Sequence, residues 1–178
     1  NLTAEIDALG GRTSYTLDPT YHLFQISTTN ALGQTTSTAW DLVCGAPMQT
    51  TDLNSQATAF TYDPLCRMTE RLEPGGKFER HAWMNLGDPG EQYELVETPT
   101  ADGSAAPLWT RTYFDGYGRT WRTAAKGPDA ATGDIHVDTT YNARGQQASV
   151  TNAYYATSGE AQPVIHATTS SYDALDRL

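Results

Sequence analysis

The chain has 178 residues, enough for one domain with a core of its own, and its 11 Lys and Arg against 21 Asp and Glu give a formal net charge of −10. That balance excludes broad attraction to nucleic acid or to an anionic membrane surface. No apolar run approaches the roughly 18–20 residues of a membrane-spanning helix, and the opening "NLTAEIDALGG" has neither the basic region nor the apolar stretch of an export signal, although Asn1-Leu2-Thr3 matches a glycosylation sequon.

In chain order, the segments that read as strands are "QTTSTAW" (34–40), "MQTT" (48–51), "ATAFTY" (57–62), "KFERHAW" (77–83), "EQYELVET" (91–98), "RTYF" (111–114), "VDTTY" (137–141) and "TTSSY" (168–172). They are rich in Thr, Ser and aromatic residues with partial alternation and carry no 3.6-residue stripe, a composition that suits a pleated surface. The punctuation between them repeats. An aromatic, then Asp or Asn, two residues, a glycine position and Arg or Gln recur at 62–67, 114–119, 141–146 and 172–177, with looser copies at 6–12 and 29–34. Asn30, Asp41, Asp52 and Asp63 are spaced by 11 residues. A unit of about five turn and six strand residues gives a strand of roughly 20 Å, and successive units make an antiparallel meander.

The turn chemistry assigns structural roles. Asp63, Asp115, Asn142 and Asp173 open a type I turn by accepting a hydrogen bond from the backbone two residues on. Gly118 and Gly145 supply the positive φ that closes it, and Arg119, like its equivalents, starts the next strand, lying along a neighbour or capping turn carbonyls. Tyr62, Phe114, Tyr141 and Tyr172 form a packing ladder at strand ends. The region 74–108 reads as longer hairpins with "NLGDPG" (85–90) as a strong turn and "TADGSAAP" (100–107) as an exposed loop, and "KGPDAATGDIH" (126–136) is a second loop-like interruption. No linker divides the chain, so 1–178 reads as a single domain.

These residues resemble a known family. "TYDPLCR", "YFDGYGR", "TYNARGQ" and "SYDALDRL" are similar to the Rhs or YD repeats of bacterial polymorphic toxins, wall-associated repeat proteins and teneurins, and with "NALGQTTSTAWD" and "HAWMNLGDPGEQ" they look most like the repeat region of insecticidal toxin-complex B and SpvB-like proteins. The resemblance spans about residues 6–178. It implies an all-β fold, an antiparallel β-meander of YD-repeat hairpins forming a curved strip or part of a hollow shell. It further implies a secreted or extracellular bacterial protein whose shell encloses a toxic C-terminal segment, so that the partners are the rest of the parent chain and that segment. The family's DPxG self-cleavage motif is not carried over, because the Asp-Pro pairs at 18, 63 and 88 lack glycine at the fourth position.

Enzymatic motifs are absent from the sequence. The four histidines have no metal-ligand spacing, no phosphate loop or nucleophile elbow occurs, and no cofactor is implied. Asp129, Asp134 and Asp138 fall near one another in sequence but match no calcium loop and read as a solvated acidic stretch. A glycoside hydrolase would need a protonated acid beside a second carboxylate, whereas Asn30 and Asn142 fill the same slot as Asp63, Asp115 and Asp173. The expectation is a non-catalytic structural segment. The alternative is an extracellular adhesion module that binds glycans on Trp109 and Trp121, which flank the turn at Asp115. Cys44 and Cys66, each three residues after a turn acid, fall on one edge of the sheet two strand spacings apart, nearly 10 Å. That separation exceeds the roughly 7 Å a disulfide tolerates between Cα atoms, so both thiols are expected free.

Overall fold

The computed structural model describes residues 2–101, 106–156 and 165–177, so that half of the 100–107 loop, residues 102–105, lies outside the described residues. The chain divides into two compact units, Asn1–Arg80 and His81–Leu178. The first holds β1 (Ala4–Ile6), β2 (Arg12–Leu17), β3 (Gln25–Thr29), β4 (Thr35–Asp41), β5 (Ala46–Thr51), β6 (Ala57–Tyr62), β7 (Met68–Leu72) and the start of β8 (Phe78–Met84). The second holds the rest of β8, then β9 (Tyr93–Thr98), β10 (Leu108–Phe114), β11 (Thr120–Ala125), β12 (Asp134–Tyr141), β13 (Gln147–Thr151), β14 (Tyr154–Ala156) and β15 (Ala167–Thr169). The fold is all-β and antiparallel: strands pair in sequence order from β1 to β13 and on to β15, with β14 beside β12. The meander expected from the turn spacing is what forms.

A core does not form. Among the described residues only Ala124, 2% exposed, and Asp18, 5% exposed, are buried. The expectation of a domain-sized core fails for a physical reason: length predicts a core only when elements close into at least two layers, and each unit is one sheet deep. Backbone ladders and short cross-strand contacts take over, including Thr29–Thr35 and Thr61–Thr69 hydroxyl pairs at 2.8 Å and Thr140–Ser149 at 2.7 Å.

The two rims of the sheet differ. In the first unit the corners at 7–11, 30–34, 52–56 and 73–77 join strands in regular register, whereas those opening at Asp18, Asp41 and Asp63 each adjoin a bulge that leaves Ile26, Met48 and Thr69 unpaired. In the second unit the corners at 115–119 and 142–146 carry the same bulge at Trp121 and Ala148. An extra residue on one strand bends it and increases local twist, so each unit is twisted harder along the rim where aromatic residues precede the turn acid.

Candidate functional site

The repeated corner is built by one side chain. At Asp115, Oδ1 accepts the backbone N–H of Tyr117 at 2.9 Å and of Arg119 at 3.0 Å, while Oδ2 accepts Arg119 Nε at 2.7 Å and Nη2 at 2.6 Å. The backbone closes around it, with Asp115 N–H donating to Arg119 O and Gly118 N–H to Asp115 O. Asp63 with Arg67 and Asp173 with Arg177 repeat every one of these contacts. Where the acid is an amide, the fifth residue changes with it: Asn30 and Asn142 donate Nδ2 to Gln34 and Gln146 Oε1 at 2.9 and 2.8 Å. At these corners the fifth residue reaches back to the turn acid or amide and not along a neighbouring strand, while at the Asp52 corner Gln56 donates Nε2 to the turn carbonyl of Asn54 at 3.5 Å.

Among the described residues eight corners share this backbone hydrogen-bond pattern with the closing residue at positive φ; in the Glu73 corner Gly75 is also at φ +81°, the type II form, whereas in the other seven the closing residue alone is at positive φ. At Gly118 and Gly145 φ is +76° and +81°, and a Cβ at Gly145 would also stand 3.0 Å from Arg119 Nη1. Both closers are thus fixed by conformation, and Gly145 additionally by the guanidinium packed against it.

The electrostatics hold these acids in the charged form. The Arg119 guanidinium holds the Asp115 carboxyl below the usual range against the opposing effect of burial, backbone N–H groups and the arginine lower Asp173, and at Asp63 burial is outweighed by the Arg67 contacts. Asp115→Ala is expected to lower the Tm of the chain by about 2–6 °C, as for a lost cap. Asp115→Asn keeps both backbone bonds and is expected to cost less than half as much; equal losses in thermal unfolding would assign the effect to charge and not to the turn.

Asp18 departs from the pattern and is the most enclosed polar residue described. It holds the 18–24 corner by accepting four backbone N–H groups, from Thr20 and Tyr21 on one oxygen and Leu23 and Phe24 on the other, at 2.6–3.1 Å. These bonds, that from Tyr21 first, lower its pKa to about 2. A depressed carboxylate stabilises above its ordinary value near 4 and loses that contribution as the pH falls toward 2. Thermal unfolding followed from pH 5 to pH 2 is expected to show this loss, with a flatter profile for Asp18→Asn.

The aromatic before the turn acid is a clasp as well as packing. Tyr62 donates its hydroxyl to Pro47 O at 2.7 Å, Tyr141 to Thr120 O at 2.7 Å, Tyr172 to Gln147 O at 3.0 Å, and Trp40 Nε1 to Gln25 O at 2.9 Å. Each acceptor lies at or next to the start of the preceding strand, where the bulge on that rim loosens the ladder. Phe114 has no hydroxyl, and there Gln92 substitutes, donating Nε2 to Phe114 O and Asp115 O at 3.3 and 2.9 Å. The hydroxyl role was missed from sequence, although tyrosine in three of four positions was its signal.

In the second unit, register places Tyr93, Arg111, Tyr113, Arg122, His136, Asp138 and Tyr154 on one face. Arg122 sits opposite Asp138 and forms a fork to it, Nε to Oδ1 at 2.6 Å and Nη2 to Oδ2 at 2.9 Å, while Tyr154 donates its hydroxyl to Oδ2 at 2.7 Å. Burial pushes the Asp138 carboxyl up, but Arg122 and Tyr154 outweigh it and hold it low; burial first and the Arg122 charge second keep His136 below its ordinary value. Of the other two acids considered for calcium, Asp129 is spent on the Thr132 N–H at 2.7 Å and Asp134 lies in β12 opposite Ala156.

Trp109 and Trp121 are half-buried, each with an arginine over its ring. Trp109 lies under the Arg111 guanidinium at 4.3 Å, and Trp121 lies under Arg122 at 4.9 Å with the Tyr113 ring 5.4 Å away. One face of each ring is taken by a cation, and Trp121 Nε1 is buried without an acceptor, so its polar edge is turned from solvent. Arg119 is itself stacked, 4.4 Å over Tyr141 and 5.0 Å over Tyr117, which ties the 115–119 corner to the clasp of the next hairpin.

The cysteines are a correction. Cys44 and Cys66 are joined in a disulfide with Cα atoms 5.3 Å apart. The expectation of free thiols treated the two as equivalent positions separated by ladder spacing. They are not equivalent: the Asp41 corner closes through Gly45 N–H to Asp41 O and is one residue longer than the Asp63 corner, which closes through Cys66 N–H to Asp63 O. Corner residues also project beyond the last paired rung, so the roughly 4.8 Å spacing does not bind them.

No family model matches this sequence, and no curated protein matches it. Among solved structures it is similar to a crystal structure of TcdB2-TccC3-TEV, at 15% identity and a TM-score of 0.64, over 94% of this chain and 13% of that one. It is also similar to a crystal structure of TcdB2-TccC3, at 18% identity and a TM-score of 0.61, over 94% of this chain and 11% of that one. The all-β antiparallel fold is thus similar to that of a stretch within these much longer chains, of which this chain spans only 13% and 11%.

Proposed function

We propose that this chain is a non-catalytic wall segment of a larger, secreted bacterial protein of the Rhs or toxin-complex type, and that the wall encloses a toxic C-terminal region of its parent. The observation that carries the reading is a strip of sheet with almost no buried core whose corner acids are consumed in holding their own turns. Such a segment gains its stability from backbone pairing and from neighbours in the parent chain. Apolar corner residues such as Leu9, 97% exposed, and Val43, 92% exposed, fit a segment that packs against further parts of its parent. The likeness to TcdB2-TccC3 structures supports the same assignment.

Limited proteolysis of the full parent chain tests it. The C-terminal region is expected to resist protease while the wall is intact and to be cut rapidly once mild denaturant opens the wall. Cleavage of that region in the intact parent at the rate seen for the isolated region would overturn the enclosure role.

A further inference from the structure

The geometry points to Cys44 and Cys66 as a thiol-exchange site, a lateral tie between two corners that closes in oxidising surroundings and is opened by a small-molecule thiol. Cys66 occupies the closing slot of its turn at φ +60°, a slot held by Gly10, Gly33, Gly118 and Gly145 elsewhere. A side chain at positive φ is disfavoured relative to glycine, so its presence calls for a compensating contact. The disulfide supplies one. The second unit repeats the arrangement with different chemistry: Asp176, at φ +62° in the same slot, accepts Arg144 Nη1 of the preceding corner at 2.6 Å. Of the three non-glycine occupants, Ser55, Cys66 and Asp176, two therefore tie their corner to the previous corner on that rim.

The position suits exchange. Cys66 is exposed at the tip of its corner, beside Leu65 at 73% exposure, while Cys44 is half-buried. A small-molecule thiolate attacks Cys66 Sγ, forming a mixed disulfide there and releasing Cys44 as a thiolate that takes a proton from water. A second thiolate attacks the sulfur of the small molecule in that mixed disulfide, giving the oxidised small-molecule disulfide and freeing Cys66. Two electrons and two protons pass to the bridge, and two thiols become one disulfide. Each corner keeps its own closing bond, Gly45 to Asp41 and Cys66 to Asp63, so opening removes the lateral tie without deleting either hairpin.

The test uses the 178-residue chain purified without reductant. Alkylation in denaturant is expected to label no cysteine, and after glutathione treatment to label two, with glutathione itself first found on Cys66. Hydrogen exchange is expected to rise at least tenfold at 41–46 and 63–68 on reduction and to stay unchanged at 115–119. Cys66→Gly, which restores the usual slot residue, is expected to show the fast exchange at 41–46 without reductant and no further response to it. Two free thiols in the unreduced chain, or exchange at both corners that ignores reduction, would overturn the proposal.

Discussion

Asp138→Ala is expected to lower the unfolding free energy of the chain by about 2 kcal/mol, read as a shift of the denaturant midpoint. The Arg122–Asp138 pair is neither on the surface nor enclosed, with side chains 29% and 24% exposed. Exposed pairs contribute about 0–1 kcal/mol, and breaking a buried pair costs about 3–5 kcal/mol; this one falls between. Alanine leaves the Arg122 fork and the Tyr154 hydroxyl without their shared acceptor, and both must recover bonds from water in a half-buried place. Tyr154→Phe, which removes one neutral donor, is expected to cost about 1 kcal/mol. The pH profile separates charge from packing: because the Asp138 pKa is lowered on folding, its contribution is complete above the ordinary value near 4 and declines as the pH falls below it. The Ala variant is expected to lack that part of the decline. A loss below about 0.5 kcal/mol at pH 7 would show that solvent screens the pair and that the backbone ladder holds β11 to β12 without it.

What could be read from the sequence follows the range of the interaction. The corner acids Asp63, Asp115 and Asp173 and the amide Asn142 were legible because every bond they accept from the backbone lies within four residues, as at Asp115 with Tyr117 and Arg119, whereas Asp18 reaches five and six residues on. The matching of Asp with Arg at 63, 115 and 173 and of Asn with Gln at 30 and 142 was also present in the letters, with Asp52 and Gln56 as the exception. Neighbouring corners in the even series Asn30, Asp41, Asp52 and Asp63 lie on opposite rims, so the physical repeat is the hairpin and not the single strand. The aromatic residues Trp40 and Tyr62 precede the turn acids Asp41 and Asp63, whereas Thr29 and Thr51 precede Asn30 and Asp52, and that alternation marks the bulged rim. Contacts such as Tyr62 to Pro47 or Arg122 to Asp138 depend on register, which bulges shift by a residue and a strand pattern does not encode.

Cys44→Ala is expected to destabilise the unreduced chain by about 3 kcal/mol, since the disulfide closes a loop across 22 residues and the loss of chain entropy in the unfolded state scales with that length. Two features make the result diagnostic. First, the variant removes the tie but leaves a β-carbon at positive φ on Cys66, whereas Cys66→Gly removes the tie and relieves that conformation, so Cys66→Gly is expected to be the more stable of the two by about 0.5–1 kcal/mol. Secondly, the dependence on denaturant should steepen in both variants, because an unfolded chain without a cross-link exposes more surface. With reductant present, the wild type should fall to within about 0.5 kcal/mol of Cys44→Ala, since both then have the same loop freedom and the same Cys66 corner. Equal midpoints for the unreduced wild type and Cys44→Ala would mean that the two corners stand apart in solution, and the roughly 10 Å separation implied by ladder spacing alone would be the correct description of that rim.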